Sequence, residues 1–222
     1  MNTEIKNAIQ AADSEAQYDE SAKRLLAQKY VLAHILVRTV EEFQGMEIEK
    51  VVSLIEGDPY ISKVPVASGL TNNDRNMEGK RFVGLNTEAG EKNEGLVRFD
   101  IIFYVRMRNG LAQMIINVEA QKDEPGSYQI LNRAIFYVSR LISSQKERDF
   151  VKSNYNDIKT VYSIWVCMNM PENSMCHIYL TKEDLLGKHN WKGNLNLVNI
   201  VMIGLTNALP ESHNEYGLHR LL

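Results

Sequence analysis

A chain of 222 residues is long enough for one sizeable domain or two small ones. Its 44% hydrophobic and 24% charged residues are those of an ordinary globular protein, and a net charge of -3 excludes a broadly basic surface for coating nucleic acid, so any polyanion site must be a local patch. No apolar run approaches the ~18 residues of a membrane span, the polar start MNTEIKNAIQ is no signal peptide, and Cys167 and Cys176, which have no metal spacing, suit a reducing cytoplasm.

In chain order, the first predicted element is a long amphipathic helix over Ala22–Phe43. Leu25, Leu26, Lys29, Ala33, Leu36, Val40 and Phe43 recur in it at three- and four-residue spacing. Asp19 or Ser21 can cap its start, and Gly45 stops it. Ile48–Glu56 is a short second helix. Gly57–Gly95, with Pro59, Pro65 and a Gly/Asn/Glu-rich run, reads as a long loop insertion holding one extra strand over Lys80–Leu85.

A hairpin follows. Val97–Arg106 and Leu111–Gln121 are rich in β-branched and aromatic residues, and Asn109-Gly110 stands between them. A type I′ turn needs φ > 0 at both central residues, which Asn-Gly supplies. A two-residue loop there sets Arg108 against Leu111, Asp100 against Glu119 and Arg98 against Gln121. Alternation then puts Arg98, Asp100, Tyr104 and Arg106 on one face with Gln113, Asn117, Glu119 and Gln121. The other face carries Val97, Phe99, Ile101, Phe103 and Val105 with Ala112, Met114, Ile116, Val118 and Ala120, and is the expected core face.

After the turn KDEPGS a helix is predicted over Tyr128–Gln145. One face is apolar (Tyr128, Leu131, Ile135, Val138, Ile142), and an adjacent face presents Arg133, Tyr137 and Arg140. Thr160–Met168 is a nearly all-apolar strand, as expected at a sheet centre covered on both sides. Met175–Leu180 and Leu195–Gly204 are two more strands. The ending NEYGLHRLL is a helix-like apolar start without a stop signal, as if a helix ran on past Leu222. Both cysteines read as small buried apolar residues. His34, His177, His189, His213 and His219 show no ligand spacing, and there is no GxSxG, HExxH or P-loop. The elements together predict a single α/β domain, a mixed β-sheet flanked by helices.

The opposed acids are the feature that needs explaining. Their Cβ atoms would stand roughly 4.5–5.5 Å apart, and like charges so placed destabilise a sheet unless something compensates. A hard divalent cation would do so. So would a pairing of one acid with Arg98 or Arg106 at a strand end, with the other acid solvated.

Asp100, followed after eighteen residues by Glu119-Ala120-Gln121, resembles the D…(D/E)xK core of the PD-(D/E)XK nuclease superfamily, with Gln in place of Lys. The stretch YDESAKRLLAQKYVLAHILVRTVEEF resembles the N-terminal helix of the bacterial transposase-like, recombination-promoting branch. VRFDIIFYV and INVEAQ resemble its core strands. YQILNRAIFYVSRLISSQ resembles the helix that follows, with Tyr128, Arg133, Tyr137 and Gln145 in matching places. The similarity runs from about Tyr18 to the C-terminus. It implies a restriction-endonuclease-like core and a cytoplasmic Mg²⁺- or Mn²⁺-dependent endonuclease acting on DNA, with a homodimer left open.

The resemblance also implies roles for single residues. Asp100, Glu119 and the Ala120 carbonyl would hold the metal. Gln121 stands where the motif's lysine would orient the water, and it can only hydrogen-bond. Glu42, with Glu41 as the competing choice, matches the family's helix acid. Arg133, Tyr137, Arg98 and Arg140 would contact DNA. A nucleic-acid-binding module of the same fold without catalysis is the alternative.

Overall fold

The densest β-branched and aromatic stretches form the strands of one six-stranded mixed sheet. The computed structural model describes residues 21–61, 88–91, 95–98, 100–108, 113–122, 125–146, 149–150, 154–210 and 217–222. The sheet contains β1 (Tyr60–Ile61), β4 (Ile101–Arg106), β5 (Gln113–Gln121), β6 (Val161–Cys167), β8 (Val198–Gly204) and β7 (Ser174–Tyr179), in that spatial order. β4 is antiparallel to β1 and β5, β6 is parallel to β5 and β8, and β7 is antiparallel to β8. A separate ribbon joins β2 (Glu88–Glu91) to β3 (Gly95–Arg98). The fold is therefore α/β.

Helices cover both faces. On one, α1 (Lys29–Thr39) and α2 (Ile48–Leu54) bury Leu32, Ile35, Leu36 and Val51 in one cluster with Ile101, Phe103, Val105, Ile116, Val118, Ile164 and Val166. On the other, α3 (Ile130–Ser143) buries Ala134, Val138 and Leu141 against Ile102, Tyr104, Val161, Trp165 and Ile200. Burying each large side chain contributes roughly 1.5–3 kcal/mol. Covered twice, β6 is buried at all seven positions, as its nearly all-apolar run predicts. α3 is also the crossover that two parallel neighbours, β5 and β6, require.

The hairpin register agrees with the expected one. Ile101 pairs with Val118 and Arg106 with Gln113, each pair in the alignment that a two-residue turn sets. Asn109-Gly110 itself lies outside the described residues, as do Lys80–Leu85 and the predicted cap Asp19.

Four local expectations are corrected. The first helix is not continuous. Residues 21–26 are helical, Ala27 and Gln28 break the run with Gln28 extended (φ −65°, ψ 126°), and α1 ends at Thr39. β-branched Thr39 and Val40 are poor helix formers, and Val40 is extended before a short 3₁₀ turn, Glu41–Phe43. Gly45 follows at φ +72°, a conformation that favours glycine. Second, Val97–Arg106 is two strands. β3 belongs to the ribbon, and the chain bends at Asp100 to enter the main sheet. Third, the hairpin face expected to be polar is also core, with Ile102 and Tyr104 under α3. Fourth, Tyr128, Leu131 and Ile135 are exposed: α3 turns Ala134 and Leu141 to the sheet beside Val138, which is buried as expected. Cys167 is buried as expected, whereas Cys176 is exposed on the edge strand β7.

Candidate active site

Asp100 and Glu119 meet where β4 begins and β5 ends. The Asp100 N–H donates to Glu119 Oε1 (3.1 Å), and the Ala120 N–H donates to Asp100 Oδ2 (3.0 Å). These crossed bonds lock the two side chains beside each other. Glu119 is 2% exposed. A residue's N–H and C=O leave an extended strand on the same side, so the Ala120 carbonyl faces the Asp100 carboxylate too.

Among the described residues, the like-charge conflict is met by cations from elsewhere in the chain, and Arg106 is not one of them. The second oxygen of Asp100 lies 2.9 Å from Lys23 Nζ, and the second oxygen of Glu119 lies 4.0 Å from Arg133 Nη2. Each carboxylate thus has one oxygen on a backbone N–H and one facing a cation. Arg106 pairs instead with Glu56 (2.5 Å), and Arg98 is aligned with Glu88 in the ribbon rather than with Gln121.

Arg133 is held from several sides. Its Nη1 donates to Gln121 Oε1 (3.3 Å) and Tyr128 Oη (3.0 Å), and its Nη2 donates to Tyr137 Oη (2.9 Å). Its guanidinium carbon stands 4.8 Å from the Tyr137 ring centroid and 5.3 Å from that of Trp165, within cation–π range. The i, i+4 spacing on α3 brings Arg133 and Tyr137 to the acids, as the sequence predicts. Burial pushes the Tyr137 phenol up; its bond to Arg133 and that residue's charge pull it down, and Glu119 and Asp100 push it up further, so the net shift is upward. Burial is also the largest single effect on Arg133 and lowers its pKa, but the Tyr137 bond and charge and Glu119 together leave it raised. Both groups stay protonated at neutral pH.

Two predicted residues are elsewhere. Glu42 Oε1 accepts from the Arg108 N–H (2.9 Å), two residues past the end of β4. Arg108 is eight residues past Asp100, roughly 25 Å along extended chain. The N-terminal helix breaks and ends early, so its last turn lands at the wrong end of the sheet. Glu41 is no substitute, since it and Glu42 act on Tyr162, whose phenol is raised first by burial and next by Glu41. Arg140, on α3, is 5% exposed and is not presented to solvent. Gln145 is buried too and is structural: its side chain clamps the Lys159 backbone through Nε2 to Lys159 O (3.0 Å) and Oε1 from Lys159 N–H (2.7 Å).

Lys23 is the site residue that sequence reasoning missed. The signal was present. Lys23 stands three and four residues before Leu26 and Ala27, both buried, so it shares the stripe that turns inward. A lysine on such a stripe needs a partner.

Among the described residues, no group of three or more His, Cys, Asp or Glu side chains is placed to hold a metal ion. The donor set here is two carboxylates, one backbone carbonyl and the Gln121 amide oxygen. These are hard oxygens of the kind Mg²⁺ takes with one or two carboxylates, the remainder being water and phosphate. Among the described residues, no helix is long and apolar enough to cross a membrane. Searches of family models, curated proteins and solved structures find no match to this chain.

Proposed function

We propose that this chain is a Mg²⁺- or Mn²⁺-dependent endonuclease of the PD-(D/E)XK kind, hydrolysing DNA phosphodiesters. The observation that carries this reading is the crossed pair of Asp100 and Glu119, with Gln121 and Arg133 grouped around it. A buried carboxylate locked beside a second, largely covered one is costly, and a structural role would not need two of them. The order of acid-bearing antiparallel strands, helix and parallel strand is compatible with a restriction-endonuclease-like core. A role in recombination follows from the branch that the sequence resembles.

Asp100, Glu119 and the Ala120 carbonyl would hold the cation. Its chemistry is a lowered pKa for bound water and relief of charge at the phosphate. Gln121 would orient that water by hydrogen bonding through its amide. Arg133, always charged and already fixed by Tyr128 and Tyr137, offers a preorganised fork to a phosphate oxygen. Tyr137, kept protonated, adds a donor.

Supercoiled plasmid with Mg²⁺ or Mn²⁺ tests the reading. The wild-type protein should nick it and Asp100→Ala should not. One observation favours the alternative of a DNA-binding module without catalysis: Gln121 Oε1 already accepts from Arg133. DNA binding with no cleavage in either metal would select that reading.

A further inference from the structure

Two cations face the acids, and they are held in very different ways. Arg133 is a planar fork fixed by Gln121, Tyr128 and Tyr137 and stacked on two rings. Lys23 is a point charge on a flexible four-carbon stem, from the helical segment 21–26, that ends before the break at Ala27. Its side chain is 17% exposed, as is that of Asp100, so the pair sits at the rim of the site. Lys23 Nζ occupies Asp100 Oδ1, the oxygen left over after Oδ2 takes the Ala120 N–H. A divalent cation on Asp100 would need that oxygen.

We propose that Lys23 is the exchangeable counter-ion of this site. In the metal-free protein it neutralises Asp100. When a divalent cation binds, Lys23 is displaced and its ammonium turns to a phosphate of the DNA. This inference rests on the metal-dependent reading above. It gives the site the mobile positive charge that Gln121 cannot supply. It also accounts for how two carboxylates stand side by side: Lys23 and Arg133 hold the site in shape until metal and DNA arrive.

Three measurements test this. Mn²⁺ alone, titrated by calorimetry, should bind Lys23→Met about fivefold more tightly than wild type, since a competing cation is gone. A purely structural lysine would destabilise the fold and leave Mn²⁺ affinity the same or weaker, which overturns the proposal. Should Lys23→Met fail to fold by circular dichroism, Lys23→Gln takes its place.

The second measurement needs no variant. Acetic anhydride labelling of the wild-type protein, read by mass spectrometry, should modify Lys23 several times faster with saturating Mn²⁺ than with chelator. Bound Mn²⁺ with unchanged Lys23 labelling refutes the exchange. The third is DNA binding with Ca²⁺ in place of the catalytic metal. Lys23→Met should flatten the salt dependence by about one phosphate contact with Ca²⁺ and leave it unchanged with chelator. An equal slope with Ca²⁺ refutes the phosphate contact. A wild-type protein that takes up no Mn²⁺, and behaves like Asp100→Asn, sinks the metal reading and this proposal with it. Mn²⁺ binding without any response of Lys23 sinks this proposal alone.

Discussion

At one end of the β4–β5 pair, Glu119 Oε1 accepts from the Asp100 N–H; at the other, Glu42 Oε1 accepts from the Arg108 N–H. Both are carboxylate-to-backbone bonds of about 3 Å. Their surroundings differ. Glu119 is sealed under α3 with Arg133 beside it, whereas the bond to Glu42 is exposed past the end of β4. Water and salt screen the second bond and barely reach the first. The same local device therefore holds the end of β4 in the open and, at the other end, holds a buried carboxylate beside a cation. What separates a structural acid from a candidate catalytic one here is burial and its cationic partner, not its hydrogen bond.

The comparison is sharpest in the acids themselves. Glu119→Ala should lower plasmid cleavage about 10³-fold or more. It should also cost about 3 kcal/mol in urea unfolding, because Arg133 loses its buried partner. Asp100→Asn should likewise lower metal-free stability, since Lys23 loses its charge partner. A gain in stability would mean that like-charge repulsion outweighs the ion pairs.

The arginines of α3 come next. Arg133→Ala should cost about 2 kcal/mol, the range of charge-assisted bonds, and should flatten the salt dependence of DNA binding by about one phosphate contact. Arg140→Met should leave that salt dependence unaltered, because Arg140 is buried. Similar salt slopes for Arg133→Ala and the wild type would remove Arg133 from the DNA surface.

A smaller effect lies in alkaline pH. The Tyr137 phenol is raised in the folded state, so the native protein holds its proton longer than the unfolded chain. That contribution is complete below the unfolded value of about 10 and is lost as pH rises through the folded value. Tyr162 is raised too and adds to the same decline. Tyr137→Phe should make the fall in melting temperature above about pH 10 shallower, and an unchanged slope would place the titration elsewhere. The smallest change belongs to the Glu42 end. Glu42→Ala should cost about 0.5–1 kcal/mol and leave cleavage at the wild-type rate. A loss of cleavage comparable to that of Glu119→Ala would erase the distinction between the two ends.

The sequence was most legible where the physics is local. Alternation of side chains and the Asn109-Gly110 turn were enough to set Asp100 against Glu119, and the register agrees. The i, i+4 spacing of Arg133 and Tyr137 put both over the same site. The nearly all-apolar run at Thr160–Met168 marked a central strand. Periodicity misled where two faces compete. α3 is amphipathic and Val138 faces inward as expected, but spacing alone could not show that Ala134 and Leu141 would join it while Leu131 and Ile135, at the edge of the apolar stripe, stayed outside. Arg140, on the polar side of α3, is buried by tertiary packing that helical spacing does not show.

By itself, then, the sequence determined the α/β class, the strand register and the pair of opposed acids, because hydrogen-bond alternation and turn geometry act over a few residues. Only the tertiary structure decided which charges answer those acids. Lys23 is 77 positions from Asp100 in the chain (100 minus 23), and Glu42 is 66 from Arg108, so neither contact has a local signature. Both depend on the break at Ala27-Gln28 and on the early end of α1 at Thr39. Those two features set where the helical segments lie over the sheet, and packing of Leu26, Leu32, Ile35 and Leu36 into one core outweighs the small preference for an unbroken helix.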